Sequence, residues 1–137
     1  MIKILPLNKF RLLKEWSKRF TITDDTVIAY AGVIYSNKEL YPDLVAHEMK
    51  HLEQQKLYGL DEFTRRYLND KKFRLEMERQ AYFAQLASID DEGLREAVKL
   101  DCIEALCSGL YGTISKQEAE KLLTPKVKSN VDSLIGL

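Results

Sequence analysis

The chain has 137 residues, 45% of them hydrophobic and 31% charged, which fits one globular domain able to bury a core without disulfide or metal staples. Lys plus Arg and Asp plus Glu number 21 each, so the net charge is zero and there is no overall basic field of the kind that binds nucleic acid. No stretch is long and apolar enough for a membrane span, and the opening MIKILPLNKFRLLKEW lacks the apolar run and small-residue cleavage site of a secretory signal, so a cytoplasmic location is expected.

In chain order, Ile2–Leu5 is short and apolar and predicts an edge strand. From Asn8, read as an N-cap, to about Arg19, the spacing of Phe10, Leu12, Leu13, Trp16 and Phe20 predicts a helix. Residues 26–36, TVIAYAGVIYS, are β-branched and aromatic around Ala31-Gly32, which predicts one strand or two short strands bent at the glycine. A helix is expected from Leu40 or Tyr41 to Tyr58. Pro42 and Asp43 suit its first turn, and Gly59 stops it.

Further helices are expected over 61–69, 71–89 and 91–109, the last closed by Gly109 and Gly112. Ser115 with Glu118 reads as a capping box opening a helix to Leu123. Cys102 and Cys107, five residues apart on a helix, point in different directions and are read as free thiols. The expected fold is α+β and mostly helical, a single domain over 1–137. It has a core over about 21–90, a small N-terminal sheet beside an active-site helix, and a C-terminal helical segment over about 91–137.

Chemistry concentrates in the second of these helices, the one ending at Tyr58. His47-Glu48-Met49-Lys50-His51 is an HExxH motif, and it holds both histidines of the chain. Residues four apart lie one turn apart on one helix face, so two imidazoles can each give a nitrogen to one Zn²⁺. Glu48 sits beside that face, placed to take a proton from a metal-bound water without ligating the metal.

Catalytic zinc takes three protein ligands and one water. With no third histidine, the remaining ligand is expected to be a carboxylate from a helix packed on the first. The helix over 71–89 offers Glu76 and Glu78, which point about 200° apart, so one of them faces inward. Glu78 borders an apolar face with Leu75, Ala81 and Tyr82; Glu76 is ringed by Lys72, Arg79 and Gln80. Glu78 is favoured, with Glu76 as the alternative.

HExxH followed by a carboxylate on a later helix resembles the gluzincin metallopeptidases. More narrowly, it is similar to their minimal bacterial and phage-encoded members. The resemblance runs over about 25–90: the apolar VIAYAGVIYS, then His47 to Gln54 as HExxHxxQ, then Gly59, then Glu78-Arg79-Gln80-Ala81. It implies a zincin-like fold, one zinc per chain on His47, His51 and Glu78, and Glu48 as general base. A peptide or protein substrate would lie along the strand before the active helix.

The chain departs from the family in lacking an acidic residue four positions after Glu78, where Tyr82 stands. Gln54, a backbone carbonyl or another carboxylate would then support a zinc histidine. Tyr82, Tyr67 and Tyr58 are the candidates for donating a hydrogen bond to an oxyanion. Two alternatives stay open: a non-catalytic zinc-stapled protein, such as a phage structural or host-interaction protein, and a nucleic-acid binder using Arg65-Arg66 and Lys71 to Arg74. Charge balance speaks against the second.

Overall fold

A computed structural model describes residues 2–125. The fold is α+β and mostly helical. Three short strands, β1 (Lys3–Leu5), β2 (Val27–Tyr30) and β3 (Val33–Ser36), form one sheet of order β1-β3-β2. Strand β1 runs parallel to β3 with Ile4 opposite Ile34, and β2 runs antiparallel to β3 with Ile28 opposite Tyr35. Six helices accompany it: α1 (Leu13–Trp16), α2 (Pro42–Tyr58), α3 (Leu60–Asn69), α4 (Lys71–Ala87), α5 (Glu92–Leu106) and α6 (Lys116–Leu123). Part of the expected C-terminal segment, residues 126–137, lies outside the described residues.

The β2–β3 connection is a two-residue turn in which Ala31 (φ 51°) and Gly32 (φ 82°) both have positive φ. That backbone matches the right-handed twist of a hairpin, although at Ala31 it costs about 1–2 kcal/mol. Gln55 of α2 offsets the cost: its Oε1 accepts from Ala31 N–H at 3.0 Å, and its Nε2 donates to Ala29 O at 2.8 Å. The hairpin is thereby bolted to the helix that carries the HExxH motif.

The expected helix over 8–19 does not form as such. A 3₁₀ turn (Leu7–Lys9) ends at Phe10, whose φ of −76° and ψ of 111° are extended, and only Leu13–Trp16 is α-helical. Asn8 lies inside the 3₁₀ turn and caps nothing. The reason is tertiary: Leu7, Phe10 and Trp16 all bury in one cluster with Ile28 and Tyr30 of the sheet, which a straight helix could not achieve. Phe10 meets the Trp16 ring edge-on at 5.1 Å.

The remaining helices begin where their caps put them. Asp70 accepts from Lys72 and Phe73 N–H to open α4, and Asp91 accepts from Leu94 N–H to open α5. Ser115 and Glu118 form the full capping box of α6. Gly59, with φ 87°, turns the chain so that α3 starts at Leu60, one residue earlier than expected. Helix α5 covers Glu92–Leu106, shorter at both ends than the expected 91–109.

A second core of Leu86, Cys102, Ile103, Leu106, Ala119 and Leu123 joins α4, α5 and α6. Both cysteines are free thiols. Among the described residues, no helix is long and apolar enough to cross a membrane.

Candidate metal centre

Helices α2 and α4 pack side by side, and a group of polar side chains is buried between them. His47, Glu48, His51 and Gln54 come from α2, and Glu78 and Gln85 from α4; all six are buried. Burial of so many polar groups is tolerable only if each is bonded.

The bonding pattern fixes the histidine tautomers. Gln54 Nε2 donates to Met77 O at 3.0 Å and Gln80 Oε1 at 3.1 Å, so its Oε1 is the atom facing His51 Nδ1, at 2.9 Å. Gln85 Nε2 donates to Asp43 Oδ2 at 2.9 Å, so its Oε1 faces His47 Nδ1, at 3.0 Å. An amide oxygen only accepts, so each imidazole donates its Nδ1–H and turns Nε2 inward.

The two Nε2 atoms converge on one carboxylate. His47 Nε2 lies 3.1 Å from Glu78 Oε1, and His51 Nε2 lies 3.0 Å from Glu78 Oε2. In neutral rings those nitrogens carry lone pairs, and a carboxylate oxygen facing a lone pair is repelled unless a cation stands between them. A proton or a metal ion serves. Donor atoms of His47, His51 and Glu78 all lie within 4.8 Å of one another. Bonds of 2.0–2.1 Å in a tetrahedral zinc site place ligand atoms about 3.3 Å apart, near the separations seen. Two imidazole nitrogens and one carboxylate therefore make a group that could hold a metal ion.

Without metal, a proton on His51 serves. Burial alone would pull the His51 pKa down, but the charge of Glu78 and its hydrogen bond override this and raise it to about 9. Burial alone would raise the Glu78 carboxyl, but the charges and hydrogen bonds of His51 and His47 hold it well below the usual carboxylate range. Tyr67 of α3 donates to Glu78 Oε2 at 2.6 Å; burial and the Glu78 charge push its own pKa well up, so the phenol stays protonated.

Glu48 is different. It is 7% exposed, and among the described residues it takes no hydrogen bond. Its Oε2 lies 3.8 Å from His47 Nε2. Burial raises its pKa above the usual carboxylate value, opposed by the charges of His47 and His51. It lines a cavity of about 980 Å³ whose walls also include His47, Glu78, the start of β2 and one side of α5.

The other residues singled out in the sequence divide clearly. Glu76 faces away and binds Arg79 and Gln80. Tyr82 sets its ring against His47 with centroids 4.6 Å apart, and its hydroxyl is engaged with Tyr111. Tyr58 packs against Phe73 and does not line the cavity, so it is not positioned as an oxyanion donor. The basic cluster is dispersed: Arg65 pairs with Glu62, Arg66 stacks on Phe73 at 4.2 Å, and Arg74 is buried, donating to Tyr67 O, Leu68 O and Leu110 O.

Gln85 and Asp43 were not anticipated as site residues. Gln85 lies seven residues after Glu78, two helical turns along the same face, a spacing that could have marked it. Helix α5 carries no motif at all. No family model, no curated protein and no solved structure matches the chain.

Proposed function

We propose that the protein is a zinc-dependent hydrolase that cleaves peptide or amide bonds, with His47, His51 and Glu78 as metal ligands. The observation that carries this is the convergence of two inward-turned Nε2 atoms on the buried Glu78 carboxylate, with the carboxylate of Glu48, which takes no hydrogen bond among the described residues, beside it in the cavity. The resemblance to minimal gluzincins supports the same assignment.

When bound, zinc would supply a Lewis acid for the scissile carbonyl and lower the pKa of a coordinated water. The chain's own residues do the rest. Glu48, its proton affinity raised by burial, accepts a proton from the water and passes it to the leaving amine. Gln54 and Gln85 hold the imidazoles in the ligating tautomer, and Tyr67 holds Glu78. Among the described residues the ligating group has three members, which leaves a position for water and substrate and favours catalysis over a closed staple.

A free strand edge supports an extended substrate. The strand β2 ends the sheet, and in a two-residue hairpin the pairs Val27–Ser36 and Ala29–Ile34 turn their β2 backbone groups outward. Gln55 occupies Ala29 O, and Val27 lines the cavity, so pairing by a substrate strand would centre on Val27. The test is Glu48→Gln in zinc-loaded protein. Hydrolysis of an unfolded protein substrate should fall about 10²–10⁴-fold while one zinc per chain is retained. Undiminished hydrolysis would remove Glu48 from the mechanism.

A further inference from the structure

The cavity that holds the candidate metal centre has a one-sided charge. The chain carries 21 Lys and Arg against 21 Asp and Glu, yet among the described residues no lysine or arginine lines this cavity. Asp43, Asp90, Asp91 and Asp101 line it, in addition to Glu48 and Glu78 of the centre itself. Arg74 is buried against three backbone carbonyls, and Lys38, whose charge reaches Glu48, does not line the cavity.

These aspartates are placed rather than merely abundant. Leu94, Val98, Asp101, Cys102 and Ala105 of α5 all line the cavity, so one face of that helix is a wall. Ten residues separate Asp91 from Asp101, about 15 Å along a helix, with Leu94 and Val98 between them. Across the cavity stands Asp43 at the start of α2, close enough to Cys102 for its charge to be felt there. Asp91 caps α5 and Asp43 holds Gln85. Among the described residues, Asp90 and Asp101 accept no side-chain hydrogen bond and form no ion pair. Leu94 is 55% exposed, an apolar surface open beside them.

A second observation marks the same cavity as a place where something polar binds. Glu48 is more than nine-tenths buried, lacks a hydrogen bond among the described residues, and faces the cavity. A low-dielectric cleft lined by one sign of charge focuses its field on ligands of the other sign. The free edge at Val27 favours extended backbone, and the α5 wall favours apolar side chains separated by positive ones.

Resting on the hydrolase reading, we propose that the substrate is a basic, extended peptide segment, with lysine or arginine side chains against the Asp91–Asp101 wall and apolar side chains against Leu94 and Val98. An acidic segment of the same length is repelled.

The test uses the zinc-loaded full chain and three internally quenched decapeptides. They share one apolar frame and carry three lysines, three serines or three glutamates at the same positions. The lysine peptide should be cut with a kcat/KM at least about tenfold above the glutamate peptide at low salt, and the ratio should shrink as salt screens the field. Asp91→Asn with Asp101→Asn should bring the ratio to about threefold or less; asparagine still caps α5. Fluorescence anisotropy on zinc-loaded Glu48→Gln protein reads binding without cleavage. Equal cutting of the lysine and glutamate peptides, or a salt-independent ratio, would overturn the substrate assignment and leave the hydrolase standing. Salt-sensitive binding of the lysine peptide to Glu48→Gln protein, with no peptide cut by the wild type, would overturn the hydrolase and leave the basic ligand. Failure of the lysine peptide to bind would overturn the substrate assignment.

Discussion

The two long walls of the cavity treat polar groups in opposite ways. On the α2–α4 side, the histidines, the glutamines and Glu78 are buried and bonded to one another, and Tyr67 closes the network. On the α5 side, Asp101 and Leu94 are both exposed on the cavity wall, and among the described residues no partner holds the carboxylate. A buried polar network with every member bonded fixes geometry, which is what a metal ligand set requires. An unpaired charge beside exposed apolar surface fixes nothing within the fold and is available to something arriving from outside. The contrast separates a centre that is preorganised from a surface that selects.

Metal dependence should expose this difference first. With free zinc at about a thousand times its Kd, the native state gains about 4 kcal/mol, and thermal unfolding with and without chelator should show it. His47→Ala should erase the zinc-dependent part. Equal melting of the wild type with and without zinc would break the account of the α2–α4 wall.

Removing an orienting amide should cost less. Gln54→Leu or Gln85→Leu leaves all three ligands in place but frees one imidazole, and zinc affinity should weaken about 10–100-fold by competition with a chromophoric chelator. An unchanged affinity would make the glutamines mere packing. Asp101→Asn, on the other wall, should leave zinc affinity within about threefold, because it touches no ligand.

The pH dependence has a definite sign. The pKa of His51 in the metal-free folded protein is raised from 6.5 to about 9. Its contribution to folding is therefore fully present below pH 6.5 and is lost as pH rises through about 9. Glu78 is shifted the other way, so its contribution is present above pH 4.5 and is lost as pH falls through its depressed value. Metal-stripped protein should thus lose stability between pH 6.5 and 9, while zinc affinity climbs about tenfold per pH unit as the competing proton leaves. Titrations by calorimetry at three pH values check both slopes. A zinc affinity flat in pH would mean that His51 is not displaced from its proton by the metal.

The smallest effect belongs to Glu76. It pairs with Arg79 on the half-exposed side of α4, and Glu76→Ala should change stability by less than about 1 kcal/mol.

How legible this was in the sequence depended on whether the signal was local. The motif helix, its Pro42 start and Gly59 stop, the Ser115–Glu118 capping box and the inward side of α4 are all set by residues a few positions apart, and the structure has each of them. The choice between Glu76 and Glu78 followed from which helix face carries Leu75 and Ala81. The segment over 8–19 was misread because Phe10 and Trp16 are placed by the sheet they pack on, and periodicity reports only what a helix would bury. Gln85, Asp43 and the aspartates of α5 were silent for a related reason. An amide that orients a histidine, and an aspartate that lines a cleft, look like ordinary surface polarity until the chain folds over them.

The central claim is that one divalent ion is gripped between α2 and α4. The most direct measurement is elemental analysis of wild-type, Glu76→Ala and Glu78→Ala proteins loaded with zinc and exhaustively dialysed. The account predicts one zinc per chain in the wild type and in Glu76→Ala, and loss of bound zinc in folded Glu78→Ala. Equal zinc in all three, or none in the wild type, would contradict it.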